Sequence, residues 1–141
     1  MGKKISVKFV TFESKVPIVE VRSGEFTFHA LVDTGSESTL FDPEVTRKGT
    51  VKPVKTGKEM DFVGLNGKTR RQEIKAVHED FVIGNQPVNI FGLLSDLSSL
   101  RGHVKEMYGK EMPIHAILGS DFLKHYDAIL DFEEQTMNLY L

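Results

Sequence analysis

The chain contains no cysteine, so neither disulfides nor thiolate metal sites can hold it together. It has no hydrophobic run approaching the roughly 20 residues that a bilayer-spanning helix needs. An excess of one charge is lacking too: the formal net charge is −2, which gives no general electrostatic ground for binding nucleic acid. The five histidines, His29, His78, His103, His115 and His125, form no i, i+4 or His-x-His pair, which speaks against a metal site. Repeats, low-complexity tracts and linkers are also missing. The opening "MGKKISVKFV" lacks the apolar core of a signal peptide. Gly2 and Ser6 fit the loose N-myristoylation pattern, but a strand start accounts for the same residues. The expectation is a cytoplasmic protein with no metal, no cofactor, and no membrane or nucleic-acid partner.

What is present is an ordinary globular composition. With 141 residues, 40% hydrophobic and 27% charged, the chain reads as a single domain, 1–141, able to bury a core without staples.

The first third reads as strands. Ile5, Val7 and Phe9 alternate with polar residues, Val16 to Val21 do so with a slip, and Ser23-Gly24 supplies a tight turn. Phe26, Phe28, Ala30 and Val32 continue the alternation and deliver Asp33 at a strand end. In "FDPEVTRKG", Asp42 suits an N-cap, Pro43 the first helical position and Gly49 the end of a short helix. The basic stretch from Arg47 to Lys58 reads as a solvated loop.

Asn66-Gly67 marks a hairpin turn, and a second hairpin runs from Phe81–Ile83 through "GNQP" to Val88–Phe91. A helix is expected near residues 95–113, capped by Ser95 or Asp96 and closed by Gly109 and Pro113, with Gly102 a weak point inside it. Ile114 to Leu118 is an apolar strand reaching Gly119, and Ser120 can cap a short helix through Tyr126. A closing hairpin pairs Ala128–Phe132 with Met137–Leu141. The sum is a mostly-β domain with about three short helices.

A carboxylate at the end of a strand built for burial is costly unless it is paired, hydrogen-bonded or used. Asp33-Thr34-Gly35 alone is a weak motif, and an Asx turn before Gly35 would explain it. Its context sharpens it. An apolar strand precedes it, a second apolar strand ends in Ile117-Leu118-Gly119, a helix follows at once, and a Gly-rich hairpin lies between them.

In this order, "ALVDTGSEST", "AILGSDFL" and "DAILDFEEQTMNLYL" resemble the retropepsin-like aspartic peptidases, over about Val16 to Leu141. The last stretch looks most like the bacterial, single-lobed members. The resemblance implies a closed β-barrel of the acid-protease type. It makes Asp33 the catalytic aspartate, supported by Thr34, Gly35, Ser36, Ile117, Leu118 and Gly119. Gly64, Leu65, Asn66 and Gly67 match the tip of a flap that covers a peptide substrate. Ser36 matches a serine that hydrogen-bonds the aspartate in pepsins, which would favour ionisation and an acidic optimum.

Because this chain carries one such aspartate, the resemblance implies a homodimer in which Asp33 faces its copy. The chain departs from the viral pattern at about 95–113, which is longer, and at "SDFL", which lacks the Arg-Asn/Asp brace of many viral dimers; Asp121 is the candidate substitute. Asp127 and Asp131 read as strand or turn residues. "NGKT" is not a phosphate loop, since Phe62 stands where its first glycine belongs. "KTRR", Lys68 to Arg71, reads as an exposed polar strand. The competing expectations are a catalytically silent peptide-binding or dimerisation module on the same scaffold, and an unrelated small barrel.

Overall fold

The computed structural model describes residues 3–10, 16–63 and 67–141. In chain order the elements are β1 (Lys4–Lys8), β2 (Ile18–Ser23), β3 (Phe26–Val32), β4 (Leu40–Phe41), α1 (Glu44–Lys48), β5 (Val54–Val63) and β6 (Thr69–Ile83). They continue with β7 (Gln86–Leu94), α2 (Ser98–Tyr108), β8 (Ile114–Leu118), α3 (Ser120–His125), β9 (Ile129–Asp131) and β10 (Thr136–Tyr140). The protein is mostly β, with three helices among the described residues.

Two sheets form. A three-stranded sheet runs β1-β10-β9, and a seven-stranded sheet runs β2-β3-β8-β4-β7-β6-β5. The larger sheet curls until β2 meets β6 at one residue pair, Arg22 with Val82, rather than through a continuous closing ladder. Alternation sorts the strands' side chains. Phe28, Ala30, Val32, Phe41, Phe81, Ala116 and Leu118 turn to the main core, joined there by Met137 and Leu139 of β10. Phe41 and Phe81 stack at 4.8 Å between ring centres.

Gly92 of β7 lets that stack sit against the sheet. A Cβ there would lie 2.6 Å from the Phe41 ring. Gly92→Ala is therefore expected to overpack this site and cost about 1–3 kcal/mol, read as a lower denaturation midpoint with unchanged secondary structure.

Local sequence explains most boundaries. Ser23 and Gly24 turn β2 into β3, with Gly24 at φ +60°, and Gly109 closes α2 in the left-handed conformation. The basic stretch expected as a loop is only partly one. Val51 is buried and β5 already begins at Val54, paired with Ala76 of β6. The ladder with β6 satisfies its backbone, so it needs no apolar alternation to be a strand.

The helix expected near 95–113 starts at Ser98 and has no side-chain cap at its N-cap residue, Leu97. Asp96 instead accepts the Ser98 N–H at 2.8 Å, and Asp42, 55 residues earlier in the chain, accepts the Leu97 N–H at 2.9 Å. Among the described residues, no helix is long and apolar enough to cross a membrane.

Candidate active site

Asp33 leaves the end of β3 beside the end of β8, and its N–H donates to the Leu118 carbonyl at 3.0 Å. The two strands are parallel, with Leu31 opposite Ile117 and Val32 opposite Leu118. The chain then turns sharply. The Gly35 N–H donates to Asp33 Oδ1 at 2.9 Å, and the Ser36 N–H donates to the Asp33 carbonyl at 3.2 Å. This Asx turn fixes one carboxylate oxygen. Among the described residues the other oxygen accepts no hydrogen bond. Asp33 is half-buried, while Thr34 and Gly35 are exposed.

The loop is locked from below. Gly119 passes so close that a Cβ on it would meet the Ser36 carbonyl oxygen and the Ser38 carbonyl at 2.7 Å. The Gly119 N–H donates to Thr39 Oγ1 at 3.1 Å, and the Ser120 N–H donates to the Ser36 carbonyl at 2.7 Å. Thr39, fully buried, gives its hydroxyl to Asp121 Oδ1 at 2.8 Å and its N–H to Oδ2 at 3.1 Å. Gly119→Ala is expected to displace the Asp33 loop, because the obstructing atoms are backbone. Loss of the loop's amide protection from hydrogen exchange, with the core's protection kept, is the check.

Two expectations need correction here. The Ser36 hydroxyl does not hydrogen-bond the Asp33 carboxylate; it donates to the Ser38 carbonyl at 2.8 Å. Asp121 is occupied within its own chain, by Thr39 and by the Phe122 N–H at 2.8 Å, so its carboxylate braces the active loop from inside. Ile117, Leu118 and Gly119 do come together with Asp33. Of the flap residues, Gly64, Leu65 and Asn66 lie outside the described residues. Gly67 has φ +76°, a conformation that favours glycine, at the start of the return to β6.

One feature is absent from any reading of the sequence alone. A single row of in-register residues crosses the seven-stranded sheet: Ile18, Leu31, Ile117, Leu40, Leu93, Ala76 and Val54. Directly paired residues share a face, and here that face is the one turned away from the main core. Every member is apolar, yet Leu31, Ile117, Leu40 and Leu93 are only half-buried. Asp33 emerges two residues, or about 7 Å, beyond Leu31. An apolar strip thus runs beside the carboxylate. A cavity of about 580 Å³ lies elsewhere, between α2 and the start of β8, and is lined by Arg101, Lys105 and His115.

Beside that cavity sits a buried ion pair. Asp42 Oδ2 receives Arg101 at 3.0 Å and the Leu97 N–H, while Oδ1 receives the Glu44 N–H at 2.9 Å. Burial pushes the Asp42 carboxyl up, but these donors together outweigh it and hold it below its ordinary value. His115 is held below its ordinary value, first by burial and then by the Arg101 charge, with Asp42 and Glu44 opposing. Burial likewise lowers His29, with Glu20 opposing.

The sign of the resulting pH dependence is the same for all three. A lowered native pKa means that the unfolded chain binds protons more readily, so stability falls as pH falls. For the histidines the loss begins near pH 6.5, and for Asp42 it begins near 3.8. The thermal midpoint should therefore drop between pH 7.5 and 5.5 and again below 4, and His115→Gln should reduce the first step. A midpoint that does not change from pH 7.5 to 5.5 would contradict this.

No protein-family model and no curated protein sequence matches the chain. Solved structures do. The retroviral protease-like domain of Ddi1 from Leishmania major is similar with a TM-score of 0.60 at 15% identity, over 92% of this chain and 96% of that one. A retropepsin-like aspartic protease from Rickettsia conorii gives 0.52 at 15% identity, over 99% and 90%. The EIAV protease, complexed with the inhibitor HBY-793, gives 0.51 at 16% identity, over 82% and 93%. The protein therefore has the retropepsin-like fold of aspartic proteases.

Proposed function

We propose that the chain is one domain, that two copies form a homodimer, and that the dimer is an aspartic endopeptidase. The observation that carries the reading is Asp33 itself. Its carboxylate is held by the Gly35 N–H on a loop locked by Gly119, Thr39 and Asp121, at the edge of a half-buried apolar strip. A strip of that kind suits an extended peptide, with alternate side chains turned toward the sheet. Thr34, exposed beside Asp33, is free to meet the same residue of a second copy.

Two facing carboxylates about 3 Å apart cannot both ionise, so the pair holds one proton. The ionised member takes a proton from a bound water as the water oxygen attacks the peptide carbonyl carbon. The protonated member gives its proton to the carbonyl oxygen. The tetrahedral adduct then collapses: the C–N bond breaks, the pair's proton goes to the amine nitrogen, and one hydroxyl of the adduct returns its proton to the pair, which is left with one proton again. The β5–β6 hairpin, turning near Gly67, is the flap that closes over the peptide and excludes water.

The test is hydrolysis of a diverse peptide library by the purified dimer between about pH 3 and 7, with inhibition by a statine-type peptide mimic. A dimer that cuts nothing sinks the reading. A silent peptide-binding module is the second reading. In its favour, Ser36 turns to Ser38 and leaves Asp33 with one hydrogen-bonded carboxylate oxygen among the described residues.

A further inference from the structure

The apolar row is not open at both ends. At the β2 end Ile18 is buried in a cluster to which α2 contributes, together with Val10, Met112 and Ile114. Leu100, Val104 and Tyr108 stand at i, i+4 and i+8 on one side of that helix. They pack with Ile18, Met112 and Ile114, and Leu31 joins the same cluster from the row. Val104 is buried, whereas Leu100, Tyr108 and Leu31 are half-buried and form the rim of the cluster. Leu31 is therefore where the strip runs into the cluster that α2 helps to build, two residues before Asp33.

The helix is also fastened in place. Its first turn is tied to the strand layer by the Leu97 N–H and the Arg101 guanidinium on Asp42 Oδ2, and Arg101 also donates to the Ile114 carbonyl at 3.1 Å. A wall pinned by a buried, charge-assisted pair does not yield easily to an oversized group. A wall of fixed position discriminates by size. Too small a side chain leaves apolar surface unfilled, and too large a one cannot enter.

We propose that α2 is the end wall of the substrate groove, and that Leu100 and Tyr108 at its rim set the size of the apolar side chain accepted over Leu31. This rests on reading the strip as a peptide groove, but not on the chemistry at Asp33. The side chain this wall measures is the one that lies over Leu31, next to the bond over the carboxylates.

The experiment separates the two claims by measuring binding without hydrolysis. Full-length Asp33→Asn protein is titrated with labelled hexapeptides that are identical except for one central Ala, Leu, Phe or Trp, and dissociation constants are read by fluorescence anisotropy. The Leu or Phe peptide should bind roughly tenfold tighter than the Ala and Trp peptides. Adding Leu100→Ala should move the optimum toward Trp, and Leu100→Phe should move it toward Ala. Met107→Ala, on the exposed side of the helix, should leave the order unchanged. Leu100→Phe adds volume at the rim, so it keeps the test intact if Leu100→Ala fails to fold.

An unchanged order of affinities in folded Leu100 variants overturns the wall, as does binding of none of the four peptides. Shifted affinities together with a wild type that hydrolyses nothing leave the wall standing and sink the peptidase reading. Hydrolysis by the wild type with an unshifted order does the reverse.

Discussion

Asp33→Asn should lower the rate of peptide hydrolysis roughly 10²–10⁴-fold while leaving fold and dimer intact. The amide oxygen can still accept the Gly35 N–H, so the Asx turn survives. The side chain is only half-buried, and the change in stability should stay within about 0.5 kcal/mol. What is lost is the shared proton. A neutral amide cannot take a proton from water, and it cannot hold a carboxylic proton for the carbonyl oxygen. The loss should fall on kcat, because the apolar strip proposed to bind the peptide is unchanged. Steady-state kinetics on a cleaved peptide, with thermal denaturation as the control, decide it.

The second large effect is structural. Asp42→Ala should destabilise the fold by about 3 kcal/mol, toward the low end of what breaking a buried pair costs. Asp42 is 3% exposed, and removing it strands the Glu44 N–H and the Leu97 N–H and takes the counter-ion from the Arg101 guanidinium. Arg101 is 26% exposed and can recover some hydration, which is why the low end applies. Asp42→Asn keeps one acceptor and should cost about 1–3 kcal/mol. Arg101→Met should cost least, since the carboxylate retains two backbone donors. A fall in thermal midpoint on the order of 10 °C is expected for Asp42→Ala. Hydrogen exchange should show the loss concentrated in α2, the element that the pair fastens.

Period-two alternation and turn glycines made the β2–β3 hairpin, β8 and the closing hairpin legible, because each is a local pattern with a local stop; α3 was legible as a helix, but its N-cap residue is Gly119 and the expected Ser120 cap is absent. The environment of Asp33 was legible through the resemblance that its short motifs carry together, which implied that Ile117 and Gly119 lie beside it. What escaped were the long-range partners. Asp42 reads locally as a cap for α1, and it does accept the Glu44 N–H. Nothing nearby shows that Leu97 and Arg101, 55 and 59 residues later, use its other oxygen. Thr39 carries no local signal either, since its partner Asp121 lies 82 residues away. The first half of β5, from Val54 to Lys58, escaped because its pairing with β6 does not depend on an apolar face. The apolar row escaped because it exists only once seven strands are in register.

The most direct test of the central claim, that each chain carries half of an active site, is a mixing experiment. Wild-type chain is held at fixed concentration and co-refolded with increasing Asp33→Asn chain, and hydrolysis of one peptide is followed. Silent heterodimers should draw wild-type chains out of active dimers, so activity should fall to about half at an equal ratio and continue toward zero. Hydrolysis that stays constant at every ratio would mean that a single chain cleaves alone, and would contradict the account.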